Sequence, residues 1–78
     1  MQTMEKVVNE SGYKIYKVLI GGEVTYFRCS NHCVSSGYDI DEMDYDSECN
    51  IYDLKSSCFW VSTIKECEES LLRWADKV

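Results

Sequence analysis

The chain has 78 residues, a formal net charge of −6 and an ordinary hydrophobic content of 45%. A chain this short makes one domain with a thin core, hiding only about 60% of the surface its unfolded form exposes, and its apolar content excludes wholesale disorder. The acid excess argues against direct nucleic-acid binding, which needs clustered Lys and Arg, and the longest apolar run, residues 18–20, is far short of the roughly 20 residues that span a bilayer.

Taken in chain order, residues 7–9, 10–12 and 13–20 read as strand, turn and strand. Gly21 and Gly22 follow, and then a second β-rich run over 23–29. Two glycines between such runs predict a two-residue type I′ hairpin, whose central positions both require positive φ. That turn sets Ile20 opposite Glu23, Val18 opposite Thr25 and Tyr16 opposite Phe27. Tyr16, Val18 and Ile20 with Thr25, Phe27 and Cys29 then share the more apolar face, expected to meet the core. Ile15, Lys17 and Leu19 with Val24, Tyr26 and Arg28 share the other, partly wet because Lys and Arg are almost never buried without a partner.

Residues 30–57 read as a long acidic insertion, with a short strand expected at 50–54 and a helical turn near 39–44. So long a loop inside a compact domain is usually functional or mobile. The apolar run 58–62 suits a buried strand. Thr63 and Glu66 fit a capping box, the Thr63 hydroxyl on the Glu66 amide and the Glu66 carboxylate reaching back. Behind them Ile64, Cys67, Leu71, Trp74, Ala75 and Val78 recur at spacings of three and four, the stripe of an amphipathic helix, with Glu69 and Arg73 as an i,i+4 pair. The sum is an α+β domain over residues 1–78: an antiparallel β-sheet, N-terminal hairpin or meander plus a later strand, packed against one C-terminal amphipathic helix.

The charge is unevenly spread. Residues 38–62 hold one base against seven acids, so the whole net charge of −6 resides there. Tyr38, Tyr45, Tyr52 and Met43 are interleaved with those acids. Aromatic residues and methionine are enriched at protein contacts, and a negative patch steers encounter with a basic surface. The candidate partner-binding residues are therefore Tyr38, Asp39, Asp41, Glu42, Asp44, Tyr45, Asp46 and Glu48. The only basic cluster a nucleic acid would find is Lys14, Lys17 and Arg28.

No export signal precedes residue 7, so a cytoplasmic location, in a cell or an infected host, is expected. The five cysteines are then expected to stay reduced. Cys29, Cys33, Cys49 and Cys58 with His32 offer zinc donors, yet the C-x3-C spacing departs from the usual knuckle and Cys49 and Cys58 are not paired in sequence. A cysteine nucleophile would need more than one lone histidine beside it. An EF-hand register from Asp44 fails, because its sixth position is Cys49 and its twelfth is Lys55. The expectation is no cofactor, no metal and no enzymatic activity.

In gross plan, the hairpin through the Phe59, Trp60, Val61 run and the helix over 63–78, the chain resembles small phage- and prophage-encoded anti-defence inhibitors, including anti-CRISPR proteins. That resemblance implies a small acidic inhibitor that blocks a nucleic-acid-handling complex by occupying its basic surface, with neither nucleic acid nor membrane as a direct partner. The alternatives are a small structural zinc module, a subunit of an obligate complex, or a homodimer completing its core through Phe59, Trp60 or the hairpin's outer face.

Overall fold

The computed structural model describes residues 4–31 and 36–75. Five strands, β1 (Met4–Asn9), β2 (Tyr13–Ile20), β3 (Glu23–Asn31), β4 (Tyr38–Asp46) and β5 (Ile51–Val61), precede one helix, α1 (Ile64–Trp74). The strands form one antiparallel sheet in sequence order, each bonded to its chain neighbour. The expected antiparallel sheet with a C-terminal helix is therefore present.

The hairpin has the expected register. Gly21 and Gly22 take φ of 59° and 84°, the two positive values a type I′ turn demands, and Tyr16 lies opposite Phe27, Val18 opposite Thr25 and Ile20 opposite Glu23. At the other end of β2, the Glu10 amide donates to the Tyr13 carbonyl at 2.9 Å and the Asn31 amide to the Gly12 carbonyl at 3.1 Å. The first closes the β1–β2 connection and the second ties it to the end of β3.

The segment expected to be an acidic insertion is instead the second half of the sheet. Residues 39–44, expected as a helical turn, lie within β4, and the strand expected at 50–54 is part of an eleven-residue β5. The 58–62 run enters the same strand, but only Val61 of it is buried. The β4–β5 turn works without glycine: the Glu48 amide donates to Asp46 Oδ1 at 3.0 Å, an Asx turn. Asn50 adopts a φ of 56°, a left-handed conformation that Asn tolerates better than most residues.

Both edge strands are irregular. The β1–β2 register slips at Val7, and the β4–β5 register slips twice, leaving Cys58 and Lys55 as the extra residues of β5. Bulges and charges at an edge discourage pairing with another strand.

The helix begins at the expected cap, with the Thr63 half of the capping box in place. Thr63 is extended and its Oγ1 accepts from the Glu66 amide at 3.1 Å. Glu66 in the first turn and Arg73 in the last complement the helix dipole, and Arg73 also donates to Ser70 Oγ at 3.1 Å. Cys67, Leu71 and Ala75 are buried against Tyr16, Val18, Phe27, Cys29, Ile40 and Val61 of the sheet, with Ile64 and Trp74 partly buried beside them. Val78 of the expected stripe lies outside the described residues. Trp74 stands between two rings, its centroid 5.4 Å from Phe27 and 5.1 Å from Phe59. No helix among the described residues is long and apolar enough to cross a membrane.

Candidate functional site

A two-layer fold with one helix leaves the sheet a covered face and an open face, and strand alternation decides which side chain meets which. The acids of β4 divide accordingly. Glu42, Asp44 and Asp46 point to the covered side, beyond the Ile40 core position, while Asp39, Asp41, Met43 and Tyr45 point to the open side. The eight residues expected to act as one patch are therefore not one surface. Tyr38 packs against the core. Asp41 is 8% exposed and accepts from the Arg28 guanidinium at 3.1 Å, so it is committed within the sheet. Tyr45 joins a ring cluster on the open face. Asp44, Asp46 and Glu48 remain exposed at one end of the molecule.

The register adds an acid that the sequence did not single out. Asp53 on β5 is the direct cross-strand partner of Asp44, and both are exposed. Like charges directly opposite one another destabilise an antiparallel pair by a few tenths to about 1 kcal/mol. The nearby Glu42 is partly balanced by Lys55 at 3.4 Å. Asp44, Asp46, Glu48 and Asp53 thus form an acidic end built around a repulsive pair.

The open face has a different chemistry. Tyr26, Tyr45 and Tyr52 cluster there, with Tyr45 and Tyr52 stacked at 4.5 Å and Tyr26 within 5.1 and 5.5 Å of them. Burial, and then the two neighbouring phenols, push the Tyr52 hydroxyl above its ordinary value. The Tyr45 hydroxyl donates to Asn50 Oδ1 at 2.9 Å. Beside the cluster lies a hollow of about 600 Å3, lined by Ile15 and Met43 with Tyr13, Arg28, Asn50 and Tyr52 around them. Ile15 and Met43 are 3% and 4% exposed although no second layer among the described residues covers them. Arg28 Nε is buried without a hydrogen-bond partner among the described residues, a defect that typically costs about 1–3 kcal/mol. At the far end of β5 the Trp60 ring lies directly on Gly37, where any Cβ would collide with it.

The bases are dispersed. Lys14 shares the covered side with Cys29, its cross-strand partner, whereas Lys17 and Arg28 are on the open side, Lys17 opposite Glu5 and Arg28 bonded to Asp41. The expected basic cluster of Lys14, Lys17 and Arg28 is not one surface.

The cysteines are equally scattered. Cys29 and Cys67 are buried in the core, and Cys49 and Cys58 are exposed. Cys49 sits in the β4–β5 turn and Cys58 at a bulge, while His32 and Cys33 lie outside the described residues. No group of three or more His, Cys, Asp or Glu able to hold a metal ion occurs among the described residues. Cys29 and Cys67 hydrogen-bond to each other across the β3–α1 contact, which holds the Cys29 thiol below its ordinary value and pushes Cys67 up, burial adding to the rise at Cys67. Of these four, a thiol-alkylating reagent should label Cys49 and Cys58 in the native protein and reach Cys29 and Cys67 only after denaturation. Peptide mass spectrometry reads this directly, and native labelling of Cys67 would show that the helix is not docked as described.

Compared with known proteins, the chain matches no family model, no curated protein and no solved structure.

Proposed function

We propose that the chain is a protein-binding inhibitor whose acidic end, Asp44, Asp46, Glu48 and Asp53, occupies a basic surface of a nucleic-acid-handling complex. The observation that carries this reading is the exposed Asp44–Asp53 cross-strand pair. A like-charge pair weakens the hairpin that holds it, so it has no structural use, whereas a partner's Lys or Arg side chains would relieve it on contact. The dispersal of Lys14, Lys17 and Arg28 favours a protein partner over nucleic acid itself. The zinc-module reading has less support, because Cys29 faces the core while Cys49 and Cys58 are exposed elsewhere.

The proposal makes stability and binding move in opposite directions. Asp44→Lys turns the repulsive pair into an attractive one, so thermal stability should rise by a few tenths to about 1 kcal/mol. Capture of partners from a host lysate should nevertheless fall, and Asp44→Lys with Asp46→Lys should lose it altogether. Capture by the unaltered chain should weaken with rising salt, since exposed charges are screened beyond roughly 8–10 Å at physiological ionic strength. Charge reversal at Glu69, which is exposed on the helix, is the control for net charge. Equal loss of capture from the Glu69 variant, or unchanged capture by the β4 variants, would remove the acidic end from the mechanism.

A further inference from the structure

The open face of the sheet carries residue types enriched at protein interfaces, tyrosines, Met43 and Arg28, around a hollow of mixed polar and apolar lining. Val24, Leu54 and Trp60 project from it, 47%, 58% and 49% exposed. A sheet face of this character normally has a second layer, and among the described residues the one helix, α1, is on the other side. We propose that the layer is supplied by a second copy of the chain, the two open faces packing across a two-fold axis as a β-sandwich.

Three observations select a second copy. The first is charge. The chain as a whole carries −6, and two copies meeting through most of its surface would repel. On the open face Glu5 lies opposite Lys17, Arg28 is bonded to Asp41, and Asp39 is the one further charged residue on β4. The face is close to neutral, so an acidic chain can meet itself there without strong repulsion. The second is area. The molecule extends 35 × 30 Å along its two longer axes, an upper bound on the face that leaves room for the roughly 800 Å2 that each partner contributes to a standard interface. The third is shape. The face presents both projecting apolar side chains and a hollow, and an isologous interface requires one surface to supply both. Pairing through the sheet edges is disfavoured by the bulges in the β1–β2 and β4–β5 pairings.

The test is the solution mass of the unaltered chain by sedimentation, with two variants. The chain should sediment at twice 9.1 kDa at concentrations on the order of 100 μM, since interfaces of this size bind with micromolar or better affinity. Leu54→Asp, which introduces a charge at an exposed open-face position, should halve the mass and leave the circular dichroism spectrum unchanged. Leu72→Asp, at a position 51% exposed on the helix, should keep the double mass. A monomeric unaltered chain at that concentration overturns the proposal. So does a dimer that survives Leu54→Asp or that Leu72→Asp dissociates. Asp44→Lys should leave the dimer mass unchanged, so failure of this proposal and failure of the acidic-end reading are read in separate measurements.

Discussion

Replacing Trp74 by Ala should leave most of the protein unfolded at room temperature. Truncating a fully buried Trp typically costs about 3–5 kcal/mol; Trp74 is partly buried, yet a large share of that cost is decisive in a domain whose net stability is only about 3–5 kcal/mol. Trp74 is not a peripheral member of the stripe: its ring lies between Phe27 of β3 and Phe59 of β5, so one side chain fastens the helix to an interior and an edge strand. Its loss removes aromatic contacts worth about 0.5–1.5 kcal/mol each beyond area burial and opens a cavity under the last turn. Trp74→Phe keeps much of the contact and should remain folded with a lowered melting temperature. A Trp74→Ala protein with unchanged circular dichroism and melting temperature would show that the sheet does not depend on the helix.

The second large effect is expected at high pH. Tyr16 is 1% exposed, and its hydroxyl donates to Glu68 Oε2 at 2.8 Å. Glu68 also lies 3.6 Å from Lys6, whose ammonium is 5.9 Å from the Tyr16 ring centroid. Burial first, and then the bond to the Glu68 carboxylate, raise the Tyr16 pKa far above its ordinary value of 10.0. In the unfolded chain Tyr16 releases its proton near pH 10, while in the folded chain it keeps it. The stabilisation is therefore complete below about pH 10 and declines as pH rises above it, by up to about 1.4 kcal/mol per pH unit while the folded phenol stays protonated. Few small domains withstand two such units. Tyr16→Phe loses the bond to Glu68 and should cost about 1.5–3 kcal/mol at neutral pH, but its stability should fall less steeply above about pH 10. Melting temperatures measured across the alkaline range for both proteins decide this, and parallel curves would place the sensitive group elsewhere.

The first half of the sheet and the helix were legible because each carries a local signal with few competing interpretations. Gly21 and Gly22 set a register to the residue, and the Thr63 cap with the Ile64–Cys67–Leu71–Trp74 spacing set the helix and its buried side. The hairpin of β4 and β5 was not legible. Asp and Glu are poor strand formers, and β4 is acidic on both of its faces, which hides the alternation that would mark it. Its turn uses Asp46 and Asn50 in place of glycine, and the register slips at Cys58 and Lys55 break the period along β5. A usable signal was present in the spacing of Asp41, Met43 and Tyr45 on one side and Ile40 and Glu42 on the other. The acidic site was half visible for the same reason. A one-dimensional count groups all acids between 38 and 53, whereas the pleat sends alternate ones to opposite sides and brings in Asp53 from the neighbouring strand.

The sequential strand order has a kinetic consequence. Every ladder in the sheet joins chain neighbours, so each closes over a short stretch and can form without waiting for distant residues. The helix is different: its bond from Tyr16 to Glu68 spans 52 positions, and its docking must follow the folding of the surface it covers. The transition state expected from this topology is a sheet whose apolar face is still bare. Destabilising changes on the helix should accordingly speed unfolding and leave the refolding rate almost unchanged, whereas changes at Gly21 and Gly22 should slow refolding.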